Sequence, residues 1–160
     1  MHALPKTPEK FPCLTIELVP AGQKGQTLDR LLPAHQWDRL RSMCHRRAGH
    51  LCEVCGDHPV ECHEVWEYDD NAQVQRLAGV VALCMECHRV KHMGQAFTSG
   101  ENLRAIRHLM RVNGWSLQVA DQHISKAFAL WAQRSAKTWS IDLSLLDGNG
   151  LGSEDILLGA

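Results

Sequence analysis

The chain has 160 residues, of which 44% are hydrophobic and 22% are charged, and its formal net charge at pH 7 is -1. This length and composition predict one folded domain over residues 1–160 and exclude a largely disordered chain. No run approaches the roughly twenty apolar residues of a membrane-spanning helix, so we expect a soluble, cytoplasmic protein with no membrane partner. Because the net charge is close to zero, nucleic-acid binding would need a local basic surface.

The first part of the chain carries three predicted elements. Residues 1–12 contain three prolines and no periodicity, and we expect them to be flexible. From Leu14 to Val19 apolar and polar residues alternate, which predicts a half-buried strand. From Thr27 the spacing becomes helical, with a break at Pro33. The arginines of this helical region admit two interpretations, a solvated helix face or a set of phosphate contacts.

Two Cys-x-x-Cys pairs dominate the centre of the chain: Cys52 with Cys55, and Cys84 with Cys87. Four thiolates at this spacing fit a closed tetrahedral site for a structural Zn²⁺. A redox dithiol would need one pair only and would leave the second without a role. Between the pairs, two strand-like segments flank a polar turn at residues 69–71, which predicts a β-hairpin.

Three histidines and one cysteine in this region are not needed by the predicted zinc site. His63 and Cys62 lie in the first strand of the hairpin, while His88 and His92 lie one turn apart on one face of a helix that follows Cys84. Imidazole ligands and water would form a second, open site for a hydrolytic divalent metal. The sequence therefore predicts two metal sites in one small module.

The order of these motifs resembles that of the HNH endonucleases, which have a ββα-metal fold and often a four-cysteine structural zinc. The resemblance covers residues 51–93. It implies an α+β protein with a central zinc-stapled ββα-metal (HNH-like) module, and a metal-dependent endonuclease that hydrolyses phosphodiester bonds in DNA. His63 would be the general base, and His88 would bind the catalytic metal, which would be Mg²⁺, Mn²⁺, Ni²⁺ or Zn²⁺. His92 would be a second metal ligand or a phosphate contact.

Two positions depart from the HNH pattern. Cys62 stands where the family usually has an Asp or His metal ligand, so it is the candidate for that role, with Glu61 or Glu64 as replacements. Gly79 stands where the family often has an Asn that holds the base histidine in place. These departures favour an alternative function, a catalytically degenerate zinc-stapled module that binds nucleic acid or protein.

The remaining predictions concern the C-terminal part of the chain. A helix from Ser99 to Gly114 carries three arginines on one face, which are either nucleic-acid contacts or solvated charges. We expect Lys91 to contact phosphate as well. A further helix covers Asp121–Lys137, and alternation in Trp139–Leu145 predicts a strand that pairs with Leu14–Val19, so that helices and a short terminal strand pair flank the central module. Residues 147–160 are expected to be flexible, and the oligomeric state is open. The arginines predicted to contact nucleic acid are Arg104, Arg107 and Arg111.

Overall fold

The computed structural model describes residues 13–147, and the predictions for residues 1–12 and 148–160 lie outside this range. Within the described residues six α-helices and one three-stranded sheet form a mixed α+β structure, which confirms the α+β part of the predicted fold class. No helix within residues 13–147 combines the length and apolar character needed to cross a membrane. The elements are α1 (Leu28–Leu31), α2 (Ala34–Arg47), β1 (Val60–Asp69), β2 (Val74–Cys84), α3 (Met85–Lys91), α4 (Met93–Thr98), α5 (Asn102–Asn113), α6 (Leu117–Ser135) and β3 (Ser140–Asp142).

The predicted hairpin is present as β1 and β2, which pair antiparallel from Val60 opposite Cys84 to Asp69 opposite Val74. The turn is closed by the Asp69 carboxylate, whose Oδ1 accepts hydrogen bonds from two backbone amides of residues 71 and 72. The register shifts between Val65 and Trp66, where β2 carries an extra residue beside Gly79. The ladder is regular from Val60 to Val65, and this stretch fixes which of its side chains share a face.

The predicted pairing of Leu14–Val19 with Trp139–Leu145 is wrong. The β3 strand instead pairs parallel with the start of β2, from Val74 opposite Ser140. Residues 14–19 are extended but belong to no strand, because side chains satisfy their backbone groups. The Asn113 amide accepts from Leu14 N at 2.9 Å and donates to Leu14 O at 2.8 Å, and His123 Nε2 accepts from Ile16 N at 3.0 Å. Alternating burial thus arises here from packing on helices.

Two apolar clusters hold the elements together, and the hairpin contributes to both. In the larger cluster, Leu14 of the extended segment packs with Val90 of α3, Leu109 of α5 and Ile124 of α6. In the smaller one, Leu40 of α2 packs against inward-facing residues of β2. Both flanking segments that the structure describes, residues 13–50 and 94–147, therefore contribute residues that pack directly onto residues 51–93.

Candidate metal centres and their surroundings

The four cysteines converge as the sequence predicts, and their sulfur atoms all lie within 4.8 Å of one another. The first two are held by a tight turn in which Gly56 has φ 78°, a conformation that favours glycine. Glu53 fixes this turn to β2, since its N–H donates to Ala82 O at 2.9 Å and its carboxylate accepts from Ala82 N at 2.8 Å. The other two cysteines lie at the end of β2 and in the first turn of α3.

Hydrogen bonding within the sulfur cluster lowers the pKa of one of its four cysteines. The pKa of Cys52 is lowered to about 4, because the Cys87 thiol and neighbouring backbone amides hydrogen-bond to its sulfur. The same bond raises the pKa of Cys87, and burial raises the pKa of Cys55 to about 11. The Cys55 sulfur lies 3.5 Å from that of Cys84 and 3.6 Å from that of Cys87. Four crowded sulfurs, three of them on buried cysteines, form a set that could hold a soft cation.

The second cluster consists of His63 on β1, His88 on α3 and His92 at the junction of α3 and α4, with one ring nitrogen of each within 4.8 Å of the others. The Nε2 atoms of His88 and His92 are 3.0 Å apart. Burial, together with the charge of His63, lowers the pKa of both residues to about 4. Both rings are therefore neutral at pH 7 and have a lone pair available for a metal.

A carboxylate orients one of these rings. Glu61 Oε2 lies 2.9 Å from His88 Nδ1, so this nitrogen carries the proton and donates it to the carboxylate. The lone pair of His88 is then on Nε2, the atom that faces His92. A histidine whose second nitrogen bonds a carboxylate is a common arrangement at metal centres in proteins. Of the two flanking glutamates considered from the sequence, Glu61 is the one at the histidine cluster, whereas Glu64 accepts a hydrogen bond from Leu28 N at 2.9 Å.

The sequence did not indicate Glu17, which comes from the extended segment before α1. Its Oε2 lies 3.7 Å from His63 Nε2, and its Oε1 lies 2.6 Å from Lys91 Nζ. Burial alone would raise the pKa of Glu17, but the attraction of His63 and Lys91 outweighs it and lowers the pKa to about 2. Glu17 is thus a carboxylate anion beside the buried His63 at neutral pH. The only sequence signal was its polar position in an alternating segment.

Cys62 does not join the histidine cluster, contrary to the prediction. Successive residues of a strand point to opposite faces, and His63 points to the cluster. Cys62 packs on the other face, against the smaller apolar cluster. There its hydrogen bond with Cys44 raises the pKa of Cys62 and lowers that of Cys44. In this structure Cys62 is a packing residue and not a candidate ligand.

The basic residues predicted to contact nucleic acid are mostly engaged within the protein. Lys91 is buried, and its ammonium group bonds Glu17 and, at 3.1 Å, Thr15, so two of its three donors are used within the protein. Arg104 makes two bonds to Glu86, at 3.1 and 2.5 Å. Arg111 lies 3.0 Å from a ring nitrogen of His108. Arg107 is exposed.

A cleft of about 260 Å³ opens beside the histidine cluster. His88 and His92 form part of its wall, so a ligand in the cleft would lie against two of the three histidines. Polar side chains from α3, α4 and the residues that follow α4 complete much of the lining, among them Arg89, Gln95, Ser99 and Glu101.

Comparisons with protein-family models, curated proteins and solved structures found no match to this chain. The resemblance to the HNH endonucleases therefore stays a prediction based on the order of its motifs.

Proposed function

We propose that the protein is a metal-dependent, HNH-type endonuclease that hydrolyses phosphodiester bonds in DNA. The observation that carries this proposal is the convergence of His63, His88 and His92 beside an open cleft, with a carboxylate next to two of the three rings. The sulfur cluster supports it as the site of a structural Zn²⁺, which would hold the ends of the hairpin and the start of α3 in place.

His88 and His92 are the residues that would hold the catalytic ion. Their neutral rings and facing Nε2 atoms fit a divalent cation, and imidazole ligands suit Zn²⁺ or Ni²⁺ better than Mg²⁺ or Mn²⁺. A divalent cation bound there would neutralise negative charge on the phosphate and on the leaving oxygen. Glu61 would keep the proton of His88 on Nδ1 and so preserve the ligand lone pair.

His63 acts as the general base in this proposal. Its Nε2 faces the Glu17 carboxylate, which favours the tautomer with the proton on Nε2. Its Nδ1 is buried and has no hydrogen-bond partner among the described residues. This nitrogen is therefore the one that would accept a proton from the water that attacks phosphorus. The negative charge of Glu17 would stabilise the imidazolium that forms.

The alternative is a catalytically degenerate module that binds nucleic acid or protein. The orientation of Cys62 favours this alternative. Cys62 stands where the HNH pattern has a metal ligand, but its side chain packs on the opposite face and does not reach the histidine cluster. In this case His63, His88 and His92 would all bind one ion and leave no base.

Cleavage of supercoiled plasmid separates the two functions. The protein is treated with EDTA under conditions that retain the cysteine-bound zinc, and Mg²⁺, Mn²⁺, Ni²⁺ or Zn²⁺ is then added. An endonuclease would nick the plasmid only after a divalent ion is restored. The degenerate module would bind DNA or remain unbound but would leave the plasmid intact with every metal.

A further inference from the structure

His108 connects the C-terminal helices to the sulfur cluster. It lies on α5, outside residues 51–93, and is 5% exposed. Its Nε2 is 3.1 Å from the Cys87 sulfur, and its Nδ1 is 3.0 Å from Arg111 Nη2. Neither His108 nor this contact of Arg111 has a role in the proposed hydrolysis.

The arrangement determines which ring nitrogen of His108 carries the proton. A guanidinium group donates hydrogen bonds and cannot accept them, so Nδ1 must be the acceptor of the bond from Arg111. A doubly protonated ring would place two N–H groups against each other at 3.0 Å, which excludes the imidazolium from this geometry. The single ring proton is therefore on Nε2 and points at the sulfur of Cys87.

We infer that His108 is a hydrogen-bond donor to the metal-bound thiolate of Cys87 and that Arg111 holds His108 in the required tautomer. The inference depends on the proposed metal at the four cysteines but not on nuclease activity. A donor to a thiolate ligand offsets the excess negative charge of a four-thiolate site and competes with protonation of the sulfur, and both effects slow the loss of the metal. His108 is then a positioning residue and not a fifth ligand, because its Nε2 has no free lone pair.

This contact makes metal retention depend on a helix outside the HNH-like module. Ala105 and Leu109 of α5 are fully buried in the same apolar cluster as Cys87 and Val90, so the helix backbone is held in position independently of the His108 contact. Substitutions at His108 can therefore remove the donor while the packing of α5 is retained. The same helix offers a matched control at Arg107, which is exposed and lies one turn before Arg111.

The test measures zinc release from the full-length protein to a chromophoric chelator at pH 7. His108→Leu removes the donor, and we expect release to become about 10- to 100-fold faster, as for other outer-shell partners. His108→Gln keeps an amide donor and should be close to the wild type. Arg111→Met should accelerate release by a smaller factor, whereas Arg107→Met should have no effect. Circular dichroism checks that each variant is folded.

X-ray absorption of the zinc-loaded protein separates this role from direct ligation. We expect four sulfur ligands in the wild type, in His108→Leu and in Arg111→Met. Three sulfurs and one nitrogen in the wild type, with the nitrogen lost in His108→Leu, would make His108 a ligand and overturn the inference. Equal release rates for the wild type and folded His108→Leu would also overturn it. If His108→Leu fails to fold, equal release rates for the wild type and Arg111→Met would overturn it. Absence of zinc from wild-type protein would instead refute the proposed cysteine metal site, and the inference with it.

Discussion

Glu17 Oε2 lies 3.7 Å from His63 Nε2, although Glu17 belongs to an extended segment far from the hairpin in sequence. This distance is longer than a hydrogen bond but short enough for a strong electrostatic effect on a buried ring. The segment is held by Asn113 and His123, and by a hydrogen bond from Glu17 N to Lys91 O at 3.3 Å. These contacts hold the segment in place, so the fold fixes the position of the Glu17 carboxylate beside His63.

Replacement of Glu17 by glutamine should lower the cleavage rate. The neutral amide would no longer favour the His63 tautomer or stabilise its imidazolium, and we expect kcat to fall about 10- to 100-fold with little change in KM. The pH profile of kcat should change as well, which a purely structural role would not produce. Glu67→Gln is the matched control, because Glu67 is an exposed glutamate on β1.

The lowered pKa of Glu17 predicts a contribution to stability that depends on pH. Its pKa is about 2 in the folded protein and 4.5 in the reference state, so the stabilisation is complete above pH 4.5 and is lost as the pH falls toward 2. Because the Glu17 side chain is 36% exposed, solvent screening reduces this contribution to about 1 kcal/mol. Urea unfolding of wild type and Glu17→Gln should show a difference at pH 6 that shrinks at pH 3. A difference independent of pH would contradict this assignment.

Replacement of Lys91 by methionine tests whether this lysine binds phosphate or supports the structure. Because Lys91 is buried and bonded to Glu17, we expect its loss to cost about 2 kcal/mol of unfolding free energy, with DNA affinity unchanged under conditions where the variant is folded. Arg107→Met provides the comparison, because an exposed arginine should affect DNA affinity at low salt and leave stability unaltered. Fluorescence anisotropy and urea titration measure the two effects. A large loss of DNA affinity in folded Lys91→Met would restore the original prediction.

Loss of one cluster cysteine should abolish metal binding at the proposed zinc site. Cys84 is both a member of the sulfur cluster and the residue that caps α3, where its sulfur accepts from Cys87 N at 3.5 Å. We expect Cys84→Ser to abolish stoichiometric zinc and cooperative thermal unfolding. Cys13→Ser, at an exposed free cysteine, should retain both. Elemental analysis and circular dichroism give the two readouts, and retained zinc in Cys84→Ser would contradict a four-sulfur site.

The sequence was sufficient for features determined by local spacing. The two cysteine pairs, the hairpin between them and the one-turn separation of His88 and His92 all depend on short-range geometry, and all are present. Features that depend on tertiary contacts were missed. Alternation in residues 14–19 predicted burial correctly but not that Asn113 and His123 would replace a neighbouring strand.

The errors at Cys62 and Lys91 have different physical origins. Alternation along a strand places Cys62 and His63 on opposite faces, and this could be inferred from the sequence. The prediction that Cys62 binds metal came instead from its position in the HNH pattern. By contrast, the burial of Lys91 requires its partner Glu17, which no local pattern connects to it. His108 was likewise indistinguishable from a surface histidine until α5 was placed against the sulfur cluster.

The most direct test of the proposed function is plasmid cleavage by His63→Ala beside His35→Ala, a control at an exposed histidine outside the cluster. Each protein is checked first for unchanged zinc content, so that a loss of rate is not a loss of fold. We expect metal-dependent nicking by wild type and His35→Ala, and a rate about 10²- to 10⁴-fold lower for His63→Ala. Nicking by zinc-loaded His63→Ala at the wild-type rate would contradict the role of His63 as the general base.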